Sequence, residues 1–137
     1  MTLNSTVIVR DHGFSPDDWA HPFTPLAEAM AGNPAIELPA DSDPDSVALD
    51  GVQIIRIPFA SFADGRGFTL ARRLRLRDYQ GRLRASGHVI ADQYAMARRA
   101  GFDEVEISAD LATRQPETQW LARADWRAHD YQARLRG

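Results

Sequence analysis

Between residues 52 and 124 the chain alternates three times between a strand pattern and a helix pattern, with only a few residues at each junction. This alternation constrains the fold more than any other feature. Strands separated by single short helices run parallel and are joined by right-handed crossovers, so their helices pack on the sheet. The first strand, VQIIRIPF over 52–59, is rich in β-branched residues and almost continuously apolar, as in a strand covered on both faces. In GFTLARRLRLR, the spacing of Phe68, Leu70, Ala71 and Leu74, with Leu76 as a further candidate, predicts a helix beginning near Phe68, with one buried face and an arginine-rich outer face.

A second strand is expected over 82–86. A helix follows from DQYAMARRA, with Tyr94, Met96 or Ala97, and Ala100 on one face and Gly101 as its left-handed cap. DEVEIS over 103–108 alternates as a third strand. The last helix starts at Pro116 and turns Trp120, Leu121 and Ala124 to one side. Three units are too few for a closed eight-stranded barrel. An open sheet or a barrel-like fragment that dimerises as a homodimer remains, and the open sheet is the reading adopted here.

The expected fold is thus a single α/β domain with a small, mainly parallel sheet. Residues 51–137 form its core. Residues 1–50 read as a less regular lead-in: TVIVRD adds one strand, PLAEAMAG over 25–32 a short helix, and LPADSDPDS a turn-rich linker.

The chain has no cysteine, which removes disulfides, thiolate nucleophiles and cysteine-held metal clusters. All 16 basic residues are arginine, so neither Schiff-base chemistry nor a P-loop lysine is available. Four scattered histidines predict no metal site, and no motif predicts a cofactor. With neither a long apolar run nor a basic-then-apolar leader, a cytoplasmic protein without membrane partners is expected. Charge is segregated. Residues 66–99 hold nine arginines and two aspartates, whereas residues 1–63 hold nine acids and two arginines. Such asymmetry concerns partners. Nucleic acid is not expected among them, because no aromatics interleave with the arginines and the pI is near 5.7. An acidic protein surface suits them better.

Ligands of parallel α/β sheets bind beyond the carboxyl ends of the strands. There the sequence offers Asp64, Gly65, Arg66 and Gly67 in ADGRG, then Gly87, His88, Asp92 and Gln93 in GHVIADQ, and Asp110 in SAD. Gly65 and Gly67 would let a ligand approach a helix start, and Arg66 adds a planar fork for an oxyanion. A plain Asp-capped turn with Arg66 in solvent fits the same segment. Asp64, His88, Asp92 and Asp110 are the candidate acids and bases. Asp92 and Asp110 are equally suited to capping their helices. Arg72, Arg73, Arg84, Arg98 and Arg99 are the further candidates for contact with an anion or a partner.

The segments FASFADGRGFTLARRLR and GRLRASGHVIADQYAMARRAGFDEVEI resemble the bacterial family catalogued as domain of unknown function 934. Its F-x-x-F-x-D-G-R-G-F-S-x-A-R-x-L-R signature lands here on Asp64 to Phe68 and Arg72. Its later motifs land on Leu83, Arg84, Gly87, Asp92, Gln93, Arg98, Arg99, Gly101 and Phe102. Thr69 stands where the family has serine, and His88 where it commonly has aspartate. The resemblance implies a link to sulfite reductase and other sulfate-assimilation enzymes, together with an oxidoreductase label but no catalytic mechanism. The expectation is an accessory protein of sulfite reduction that docks an acidic partner or holds a small oxyanion. A small enzyme, an oxidoreductase or one processing sulfur anions, is the alternative.

Overall fold

The computed structural model describes residues 6–30 and 32–127. Strands β1 (Thr6–Arg10), β2 (Gly13–Ser15), β3 (Thr24–Pro25) and β4 (Ala35–Glu37) come from the segment expected to be irregular. They are followed by β5 (Ile54–Phe59), α1 (Arg66–Leu76), β6 (Arg82–Gly87), α2 (Tyr94–Ala100) and β7 (Glu104–Ser108). Two short helices, α3 (Ala109–Arg114) and α4 (Glu117–Leu121), come last. All seven strands join one open sheet in the order β2-β1-β7-β6-β5-β4-β3. Strands β3 to β7 are parallel; β1 runs antiparallel to β7, and β2 to β1. The fold is a mixed α/β architecture around a mostly parallel sheet.

Alternation along the strands sorts two very different faces. Ile55, Ile57 and Phe59 on β5, Leu83 and Ala85 on β6, Val105 and Ile107 on β7, and Val9 on β1 share one core with Leu70, Ala71 and Leu74 of α1. Tyr94, Ala97 and Ala100 of α2, with Phe102 and Trp120, complete it. Helices α1 and α2 pack against each other on this face, as successive right-handed crossovers require.

The opposite face carries charge. Glu37, Arg56, Arg84 and Glu104 are register partners across β4, β5, β6 and β7, and Arg10 of β1 bonds to Glu104 at 2.8 Å. Arg84 and Glu104 are almost wholly buried (0% and 1% exposed) and bond at 2.6 Å. Glu104 also accepts from Arg82, and Glu106 from Arg84.

This ladder is covered by an extended strap, not by helices. Because β2 and β3 sit at opposite edges of the sheet, residues 16–23 must cross the face between them. Asp18 bonds to Arg10 and Arg82, Asp17 pairs with Arg84 at 3.1 Å, and Phe23 lies 4.1 Å from the Arg56 guanidinium. Six strand spacings of ~4.8 Å make a crossing of roughly 29 Å. Nine extended steps from Ser15 to Thr24 reach about 30 Å. The strap is therefore just long enough to cross, and its contacts tie it to β1, β5 and β6.

Desolvation pushes the Asp18 carboxyl up, but hydrogen bonds from Arg82 and Arg10 outweigh it and hold the pKa at about 2. Glu104 is likewise lowered, against the cost of its burial, by Arg84, Arg10 and Arg82. Carboxyls depressed in this way stabilise the fold above their unfolded pKa, near 4, and lose that contribution as pH falls toward the folded value. Stability is expected to decline as pH is lowered from about 4.5 to 2, with a shallower decline in Asp18→Asn. Urea titrations across that range test it; identical slopes for the two proteins would remove Asp18 from the account.

Elsewhere the expected elements shift. The helix expected over 25–32 shrinks to one 3-10 turn, Leu26–Glu28, because Pro25 belongs to β3 and Ala29 is already extended. Helix α1 starts at Arg66, inside the glycine-rich turn. The helix expected from Pro116 starts there as α4 but ends early, at Leu121; α3, which precedes it, is an additional helix that Ser108 starts directly after β7 by accepting from the Leu111 N–H at 3.1 Å. Residues expected to continue that last helix beyond 127 lie outside the described residues. No helix among the described residues is long and apolar enough to cross a membrane.

Candidate functional site

At the carboxyl ends of β5 and β6 the glycine-rich turn already holds an anion, and it belongs to the chain. Asp64 Oδ1 accepts from the Arg66 backbone N–H at 3.1 Å and from its Nε at 3.0 Å, while Oδ2 accepts from Nη2 at 3.0 Å. The bonds from Arg66 draw the Asp64 carboxyl below its ordinary pKa. The oxyanion position expected at the start of α1 is thus filled by the Asp64 side chain. Gly67 is required for packing, since a Cβ there would run into the Phe59 ring. Gly87, at φ +89°, has the Phe59 carbonyl 2.9 Å from where its Cβ would be. Gly65 has an ordinary φ of −91° and open space beside it.

The remaining edge residues are also engaged locally. Gln93 accepts from the Ile90 N–H and donates to the Phe62 carbonyl at 2.7 Å, tying two loops together. His88 is exposed, with its ring edge-on to Phe62. Asp92 lies in a 3-10 turn, Ala91–Gln93, and pairs with Arg123 at 2.8 Å; the Gln93 amide, not Asp92, caps that turn. Asp110 sits in the first turn of α3 and pairs with Arg114, while Ser108 does the capping. Among the described residues no group of three or more His, Asp or Glu could hold a metal ion. Cavities of about 530 and 540 Å³ open at the other, amino-terminal edge, near Gln80 and Gly81.

Most of the arginine cluster is structural. Helices α1 and α2 end at that amino-terminal edge, where their last carbonyls lack helical partners. Arg75 donates to the carbonyls of Tyr79, Gly81 and Gly101 and to Asp103. Arg77 donates to Pro44 and Val47, Arg98 to Phe102 and Asp11, and Arg99 to Trp126. Cations at helix C-termini are favoured for this reason. Arg84, expected to contact an anion or partner, instead lies buried in the charged ladder. The carboxylates of Glu104 and Glu106, absent from the expected site, are its partners. Their sequence signal is the period-two placement of charge in RLR and EVE on neighbouring strands.

Two arginines remain outward. Arg72 has no partner among the described residues, and Arg73 has only Asp45 at 3.8 Å, beyond hydrogen-bond range. Both are exposed on α1, next to Leu76, which is 79% exposed. Seven residues apart on the same helix, Arg66 and Arg73 line a shallow cavity of about 320 Å³ with Thr69, Leu70 and residues 40–44.

No curated protein and no solved structure matches the chain. Residues 35–137 match the family described as bacterial protein of unknown function, DUF934. The matched stretch runs from β4 through the glycine-rich turn, α1 and the charged strands β5 to β7, and the chain belongs to that bacterial family.

Proposed function

We propose that the protein is an accessory of assimilatory sulfite reduction that docks an acidic surface of sulfite reductase, or of another sulfate-assimilation protein, through the outer face of α1. The pathway comes from the family resemblance. The face is supported by one observation: Arg72 and Arg73 stand exposed beside Leu76 with no hydrogen-bonded carboxylate, while Arg75, Arg77, Arg82, Arg84 and Arg98 all serve the fold. Arginines flanking an exposed apolar side chain have the composition of interface centres. The candidate acids Asp64, Asp92 and Asp110 are each paired with an arginine, and His88 meets only the Phe62 ring among the described residues, so no observation favours the enzyme reading.

Arg72→Glu with Arg73→Glu reverses the charge of this face at exposed positions. Co-purification of the tagged protein from its native host at low salt is expected to bring down the sulfite reductase haemoprotein, and the double variant is expected to lose it while keeping its circular dichroism and melting temperature. Rising salt should weaken the wild-type association too, as charge pairing across a polar rim does. Recovery of the same partner by the double variant would dismiss this face.

A further inference from the structure

We propose that the cavity between α1 and the 40–44 loop binds a small organic anion, with its charged head on Arg73 and its apolar body over Leu70. This goes beyond partner docking. Residues 66, 69, 70 and 73 share one face of α1, being spaced i, i+3, i+4 and i+7. The cavity they line with Ala40, Asp41, Ser42 and Pro44 measures about 320 Å³, at the lower end of small-molecule sites.

The side chains along it divide by chemistry. Arg66 uses Nε and Nη2 on Asp64, leaving Nη1 without an acceptor among the described residues. Arg73 is held only by the 3.8 Å approach of Asp45. Neither the Thr69 nor the Ser42 hydroxyl has a hydrogen-bond partner among the described residues. Donors of two guanidiniums and two hydroxyls that no other described residue engages therefore border a single cavity. Leu70, 3% exposed, with Ala40 and Pro44, gives it an apolar part.

Charge sets the ligand class. Asp41 lies in the wall, and Asp45 must release Arg73 for a ligand to replace it. A head of high charge would meet both carboxylates, so a single negative charge suits the site best. The apolar portion must supply the rest of the affinity. Carboxylates, sulfonates and phosphate monoanions carrying a short hydrocarbon body meet this description.

Titration of the full chain with hexane-1-sulfonate, followed by backbone amide NMR, tests the proposal. Saturable shifts are expected at Ser42, Thr69, Leu70 and Arg73. Affinity should fall about tenfold in Arg73→Ala, the scale for losing a charged hydrogen-bond partner. A smaller, severalfold loss is expected in Thr69→Val, and none in Arg114→Ala. Inorganic sulfate, which lacks the body, and 1-hexanol, which lacks the head, should each bind more weakly. Absence of saturation, equal affinity in Arg73→Ala, or sulfate binding as tightly as the sulfonate would each overturn the proposal. Thr69→Val leaves Arg72, Arg73 and Leu76 in place and should still capture the docking partner, so the two proposals can fail separately.

Discussion

Replacing Glu104 by alanine is expected to cost about 3–5 kcal/mol, a large share of the roughly 5–15 kcal/mol that stabilises an ordinary domain. Glu104 is 1% exposed and accepts from Arg10, Arg82 and Arg84 at once. Its removal would leave the fully buried Arg84 guanidinium short of its closest counter-ion, with Nη2 already lacking a hydrogen-bond partner. The penalty would come from that buried charge, left with Asp17 and Glu106 as its nearest partners, more than from the lost attraction. A paired replacement should reveal the difference: Arg84→Met with Glu104→Leu removes both charges and should recover most of the loss. Urea unfolding of Arg84→Met, Glu104→Leu and the pair forms a double-mutant cycle. A Glu104→Ala loss below about 1 kcal/mol would mean that water or strap movement compensates the charge, and that the ladder does not hold the strap.

The second large effect is expected at Trp120. Its side chain is 1% exposed, meets the Tyr94 ring edge-on at 6.1 Å, and donates from Nε1 to the Gln115 carbonyl at 2.9 Å. Through it α4 closes the helical face over α2 and approaches β2. Trp120→Ala should cost about 3–5 kcal/mol by lost burial and the cavity left behind. In a domain of this length that lowers the melting temperature by roughly 10–15 °C. Trp120→Phe keeps most of the apolar contact and gives up one hydrogen bond, so its loss should be about 1–2 kcal/mol. Thermal melts of both variants decide the matter. Equal losses would assign the role of Trp120 to its hydrogen bond instead of its bulk.

Much of the helical face was legible in the linear order. The nearly continuous apolar run in IIRIPF, the alternation in EVEIS and the 3.6-residue spacing of Leu70, Ala71 and Leu74 depend only on neighbours in sequence. The same holds for Gly101, whose φ of +120° ends α2 where a left-handed cap was expected. Less legible were β2, β3 and β4. At two or three residues each they carry too little pattern to be recognised, and partners distant in sequence decide them.

At the candidate site the sequence left two readings open, an anion contact and an Asp-capped turn with Arg66 in solvent. DGRG has the residue types of an anion cradle, yet two residues of separation let Asp64 fold back onto Arg66 and fill it. The arginine run looked like one basic surface, but alternate members reach helix ends, loop carbonyls and strand carboxylates that lie 6 to 33 residues away. Local propensity and periodicity, which act over a few residues, determined from sequence alone that this is an α/β chain with parallel crossovers. Which arginines are consumed by the fold and which two are left without a hydrogen-bonded partner was decided only by tertiary structure, because a guanidinium bonds to whatever acceptor the fold brings within about 3 Å, however distant in the chain.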